Sequence, residues 1–166
     1  TNIEGLEVVP ADTSVREVER VLSVGSKSHK LIRRLVAGTK RDVDVMVIDC
    51  PPGISQVVEA VASVADVLLV PHVVTDFTAS LDPIKAYEYR AARRPVVSTP
   101  VAGFKDVPDP LVTAVSEDAF PDAVAKAISD PVPWSPELPD DIPSWVSRVE
   151  QMATVIARVA GAGGAP

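Results

Sequence analysis

Apolar and polar positions alternate along this chain at two periods, and the switches between them mark its elements. Residues 6–11, LEVVPA, are a short β-branched run ended by Pro10 and predict a strand. Ser14 with Glu17 makes a capping-box signature, and Val15, Val18, Val21 and Leu22 then recur at helical spacing up to Gly25. A second helix is predicted over 28–37, with Leu31, Ile32 and Leu35 inward and Gly38 as its stop. VDVMVID (43–49) reads as the clearest buried strand, and ISQVVEAVASVA (54–65) as the helix after it. DVLLVPHVV (66–74) predicts the next strand. DPIKAYEYRAA (82–92) predicts a helix with Asp82 as its cap and Pro83 in its first turn. RPVVSTP (94–100) and LVTAVS (111–116) predict two more strands, and 117–129 a helix that tolerates Pro121 only near its start. Residues 130–143 hold five prolines and read as an extended connector. A last helix is predicted from Ser144, with Trp145, Val149, Met152, Ile156 and Val159 on one apolar stripe and Trp145 as its packing anchor, ahead of a loose tail over 161–166.

Five strands separated by helices predict an α/β protein: a three-layer, Rossmann-like or flavodoxin-like open sheet, mostly parallel, with helices on both faces. One domain is expected over 1–160. The favoured strand order is 2-1-3-4-5, because a simple 1-2-3-4-5 order with right-handed crossovers leaves one face bare. A homodimer covering an exposed face or edge is the alternative.

Composition narrows the function classes. The 166 residues are 46% hydrophobic but only 4% aromatic, so Val, Leu, Ile and Ala must build the core. The net charge of −7 is uneven: residues 1–42 carry eight basic against six acidic side chains, and 100–145 carry two against nine. The local basic excess falls far below a nucleic-acid patch, so a solvated helix surface is the reading and DNA is not an expected partner. Cys50 is the single cysteine, which fits a reducing, cytoplasmic setting. No membrane span or signal peptide is expected, and no metal site, because His29 and His72 are far apart and lack cysteine partners. The start at Thr1 fits an excised or engineered chain.

Two resemblances meet in the middle. GLEVVPA, VGSKSHKLIRRLV and DVDVMVIDCPPGISQVVEAVASVADVLLVP, roughly residues 1–70, resemble the ParA/MinD family of partitioning ATPases. That resemblance implies that Asp49 ends a Walker B strand and serves a Mg²⁺ site through water. No G-x-x-x-x-G-K-[ST] loop occurs in these 166 residues, and GSKS (25–28) precedes a basic helix instead of following an apolar strand. Asp49 is therefore expected to be vestigial, an acid capping the next turn, and Cys50 an inert, buried thiol.

ADVLLVPHVVTDFTASLDPIKAYEYRAARRPVVSTPVAGFKDV, DAFPDAVAKAI and SWVSRVEQM, roughly residues 65–160, resemble the carboxyl-terminal half of a GT-B glycosyltransferase donor domain. The resemblance implies a sugar-nucleotide diphosphate at the amino terminus of the 82–92 helix. Lys85 would touch phosphate or sugar, Glu88 the ribose hydroxyls, and Ser80, Leu81 and Asp82 would line the loop. Two positions depart from the pattern. Ser80 stands where many members have Glu, and Arg93 stands where many have Gly after the Ala pair. Without any ligand, Lys85 and Glu88 read as an i,i+3 ion pair.

The two families share an Ala-Asp-x-Leu-Leu-x-Pro strand, so the chain reads as a recombination of one fragment from each. The leading expectation is a folded scaffold with no enzymatic activity of its own and no cofactor. The alternatives are a binding module for a nucleoside diphosphate or sugar nucleotide, and a ParA-like fragment acting on ATP or DNA.

Overall fold

A computed structural model describes residues 4–8, 28–39, 43–50, 56–134, 137–139 and 142–162. The capping box at Ser14 and Glu17 with its helix, the Pro51–Pro52–Gly53 turn, Pro136 and the tail from 163 lie outside the described residues. So do residues 25–27 of GSKS and residues 9–11 of the first expected strand.

The chain divides into two compact units, Thr1–Ala65 and Asp66–Pro166. In the first, α1 (Ser28–Thr39) packs on α2 (Gln56–Val64). Ile32, Ala60 and Val61 form the buried centre, with Val36, Cys50, Val57 and Val64 around it. Ile32 turns inward as expected, whereas Leu31 is exposed, and α1 runs through Gly38 to Thr39. Lys30, Arg33 and Arg34 are exposed, which matches a solvated basic face.

The strand expected over 43–49 is not formed. Residues 45–50 carry no ladder, and Val45, Val47 and Ile48 are exposed, Val47 at 75%. Likewise residues 6–8 form no strand and are exposed. An apolar run becomes a strand only when a neighbour takes its backbone N–H and C=O groups, and none does so here among the described residues.

The second unit holds an open parallel sheet of three strands in the order β1 (Leu68–Val70), β2 (Val96–Ser98), β3 (Val112–Ala114). These three are the last strands of the expected order, side by side as that order has them. The chain is thus a mixed α/β structure with a small parallel sheet, and five strands are not formed among the described residues. The central strand is the most apolar and the most buried: Val96, Val97 and Ser98 are each at most 1% exposed. Burying each valine contributes about 1.5–3 kcal/mol, the usual character of a strand covered on both faces.

Three helices accompany the sheet: α3 (Ile84–Ala92), α4 (Phe120–Ser129), which packs on β2, and α5 (Trp145–Ala162). Pro121 lies in the first turn of α4, where its missing N–H costs nothing. Ser144 starts α5 by accepting the Ser147 N–H on its side chain at 3.1 Å. The stripe of α5 is real in period but uncovered. Trp145 is 77% exposed, and Val149, Met152, Ile156 and Val159 are also exposed, so Trp145 is not the packing anchor expected of it. Trp134 is exposed as well, its indole N–H donating to the Ala92 carbonyl at 3.3 Å.

At the end of α3, Arg93 takes a left-handed conformation (φ 54°, ψ 41°) and its N–H caps the Arg90 carbonyl. Glycine takes this conformation without steric cost, whereas an arginine pays one.

Candidate functional site

In a parallel sheet all strands end on one edge, and α/β proteins place ligands there. From that edge of the second unit leave the loops after Val70, Ser98 and Ala114. Hydrogen bonds tie them together. The Thr99 hydroxyl donates to the His72 carbonyl at 2.6 Å, Ala102 N–H to the Thr78 carbonyl at 3.0 Å, and Val74 N–H to Glu117 Oε1 at 3.3 Å.

The first loop is shaped by two threonines. Thr75 N–H donates to Thr78 Oγ1 at 2.8 Å, and Thr78 N–H to Thr75 Oγ1 at 3.2 Å. This reciprocal pair works like a capping box and folds 75–79 into a tight turn. The Ser80 hydroxyl donates to the Asp76 and Phe77 carbonyls, so it braces the turn. Its single hydrogen is shared between these two carbonyls.

The loop delivers the chain to α3. Its N-cap is Pro83, in extended conformation, and no side chain caps the helix. Asp82 is therefore not the cap. Its Oδ1 accepts the Tyr87 hydroxyl at 2.7 Å instead. Leu81 is exposed, Lys85 is exposed in the first turn, and Glu88 is half-buried one turn further on. The Lys85–Glu88 ion pair does not form. The structure thus brings Ser80, Leu81, Asp82, Lys85 and Glu88 to one loop and helix start. Asp49 belongs to the first unit, where it is exposed near the end of the irregular 45–50 segment.

Sequence reasoning missed the Thr75–Thr78 pair, Thr99, Glu117 and Gly103. TDFT at 75–78 carries the signal of two hydroxyl residues three apart after a strand. Gly103 has φ +79°, and the 101–105 loop leans so closely on Pro83 and Ala86 that only glycine fits. Tyr89 and Phe104 stack edge to face behind it, with ring centroids 6.3 Å apart.

Tyr87 titrates above its ordinary 10.0, first because its hydroxyl hydrogen-bonds Asp82, then through burial and the Asp82 charge. The guanidinium of Arg148 works the other way. A folded-state value above the unfolded one means that the Tyr87–Asp82 contact supports the fold below pH 10.0 and is lost as pH rises through the folded value. Ultraviolet titration should show a phenolate that forms later than in free tyrosine, is absent in Tyr87→Phe, and returns toward the ordinary value in Asp82→Ala. An unchanged titration in Asp82→Ala would remove the stated cause.

Among the described residues no group of three or more His, Cys, Asp or Glu is placed to hold a metal ion, and no helix is long and apolar enough to cross a membrane.

A family model described as an AAA domain matches residues 1–82. This is the ParA/MinD-like family of P-loop ATPases, and the match supports the resemblance carried by GLEVVPA and VMVIDCPPG. It also runs beyond residue 70, through β1 to Asp82, into the stretch that resembles a glycosyltransferase. No curated protein and no solved structure matches the chain. The glycosyltransferase resemblance and the recombined origin find no support in these comparisons.

Proposed function

We propose that the second unit is a low-affinity binding module for a nucleoside diphosphate or sugar nucleotide, without turnover of its own. The observation that carries this reading is the start of α3. An uncapped helix amino terminus lies at the carboxyl edge of a parallel sheet, with an exposed lysine in its first turn. Such a terminus favours anions through its free N–H groups and the helix dipole. Lys85 adds a positive charge with no carboxylate partner among the described residues, and Glu88, one turn on, would take the ribose hydroxyls. Asp82 adds a negative charge beside the same terminus, which holds the affinity down. Turnover needs a complete catalytic constellation, and these 166 residues contain neither a P-loop motif nor a nucleophile–base spacing.

Titration of UDP, GDP and ATP, followed by amide NMR, tests this reading. UDP or GDP should shift residues 80–88 at millimolar concentration, and Lys85→Ala and Glu88→Ala should each abolish the shifts. No shifts in a well-dispersed spectrum leave the chain a scaffold without a ligand.

The family match over 1–82 favours a second reading, in which the chain retains ATP binding around Asp49. ATP would then shift residues 45–50, and Asp49→Ala would remove those shifts while leaving 80–88 untouched.

A further inference from the structure

A cavity of about 340 Å³ opens between α3, the 101–107 loop and the start of α5. Its volume is in the range of small-molecule pockets. Tyr87, Arg90, Arg148 and Gln151 supply its polar wall, and Ala86, Val107 and Pro143 its apolar one.

The polar wall is cationic and oriented. Arg90 is buried and already fixed on Asp109 at 3.3 Å. Arg148 differs, because among the described residues its partners are all neutral. Its Nη2 donates to the Tyr87 hydroxyl at 3.1 Å, its Nη1 to Gln151 Oε1 at 3.3 Å, and its guanidinium lies 5.8 Å from the centre of the Tyr87 ring. Among the described residues, Asp82 is met by the Tyr87 hydroxyl that Arg148 also touches. A guanidinium has five donors, and these contacts use two, so the fork keeps donors for an anion. Tyr87 and Gln151 hold it in place beforehand, which lowers the ordering cost of binding.

We propose that this cavity binds a small organic carboxylate, with the carboxylate on Arg148 and the hydrocarbon body against Ala86, Val107 and Pro143. The apolar wall favours an organic acid over a bare inorganic anion, since phosphate would leave that wall in water. This site lies on the α5 side of α3 and does not depend on the nucleotide reading.

Benzoate is the probe, titrated into the whole chain at constant ionic strength and followed by amide NMR. Shifts should gather at 86–90, 103–107 and 148–151. Arg148→Gln should weaken binding roughly tenfold or more, the loss of one charge-assisted contact. Val107→Trp should abolish binding by filling the space, and it decides the matter should Arg148→Gln loosen α5. Lys85→Ala should leave benzoate affinity unchanged, which separates this site from the nucleotide site. The proposal is overturned if shifts are absent or scattered, if both cavity variants bind benzoate normally, or if inorganic phosphate binds as tightly as benzoate.

Discussion

Replacing Asp109 by Ala is expected to lower the stability of the second unit by about 3–5 kcal/mol, the usual cost of removing one member of a buried ion cluster. The Asp109 side chain is 1% exposed, and three groups converge on it. Arg90 Nε lies 3.3 Å and Arg93 Nη1 3.1 Å from Oδ2, and Leu111 N–H donates to Oδ1 at 3.0 Å. Arg90 and Arg93 end α3, and Leu111 leads into β3, so one carboxylate fastens a helix terminus to a strand entrance. Without it, the Arg93 guanidinium and the Leu111 amide lose this acceptor, and the Arg90 guanidinium loses one of its contacts, in a site with little water. The loss is large against the roughly 5–15 kcal/mol that holds a domain together. Both tryptophans, Trp134 and Trp145, lie in the second unit, so denaturant unfolding followed by fluorescence reports on that unit alone. Asp109→Asn should cost less, because its carbonyl oxygen can still accept. A triple change, Arg90→Met with Arg93→Gly and Asp109→Leu, should recover part of the loss by removing the stranded charges and the left-handed arginine. A change below about 1 kcal/mol for Asp109→Ala would mean that water, not the fold, satisfies the arginines.

What the sequence made legible, and what it did not, divides along the range of the interactions. Proline-bounded RPVVSTP became the buried centre of the sheet, Pro121 marked the first turn of α4, and Ser144 marked the start of α5. Each of these rests on neighbours a few residues away. The 43–49 run and the α5 stripe show what periodicity leaves out. It records that a face is apolar, and says nothing about whether a partner covers it, so Val47 and Trp145 stand in water. Asp82 before Pro83 has the pattern of a cap, yet a tyrosine hydroxyl five residues on competes for the same oxygen and wins. Asp109 was one of nine acids in its stretch, and its arginines lie 16 and 19 residues earlier, a spacing with no periodic trace. At the candidate site, Lys85 and Glu88 came from a resemblance, whereas the threonine turn ahead of them is visible only once Thr75 and Thr78 face each other.

Gly103→Ala is the second large expected effect, about 2–5 kcal/mol of destabilisation, and it has two separable causes. The first is backbone. At φ +79° an L-residue other than glycine costs about 1–2 kcal/mol. The second is contact. A Cβ at this position would lie 2.9 Å from Ala86 Cβ and 3.0 Å from Pro83 Cδ and Cγ. Neither neighbour can swing away, since one is a methyl group fixed to a helix and the other a ring, so the loop itself must move, at about 1–3 kcal/mol. A double-mutant cycle separates the two causes. Ala86→Gly removes the closest clash and leaves the φ cost intact, so the pair should show a coupling of about 1 kcal/mol or more. Additive effects would clear the Ala86 contact and leave the loss to the backbone and the Pro83 ring. The displaced loop should also disturb function, because Gly103 lies against the first turn of α3 and lines the cavity beside it. UDP shifts at 80–88 and benzoate shifts at 103–107 should therefore weaken together in Gly103→Ala, whereas Lys85→Ala affects only the first and Arg148→Gln only the second. If Gly103→Ala lowers stability but leaves both ligand responses intact, the 101–105 loop serves the fold and shapes neither site.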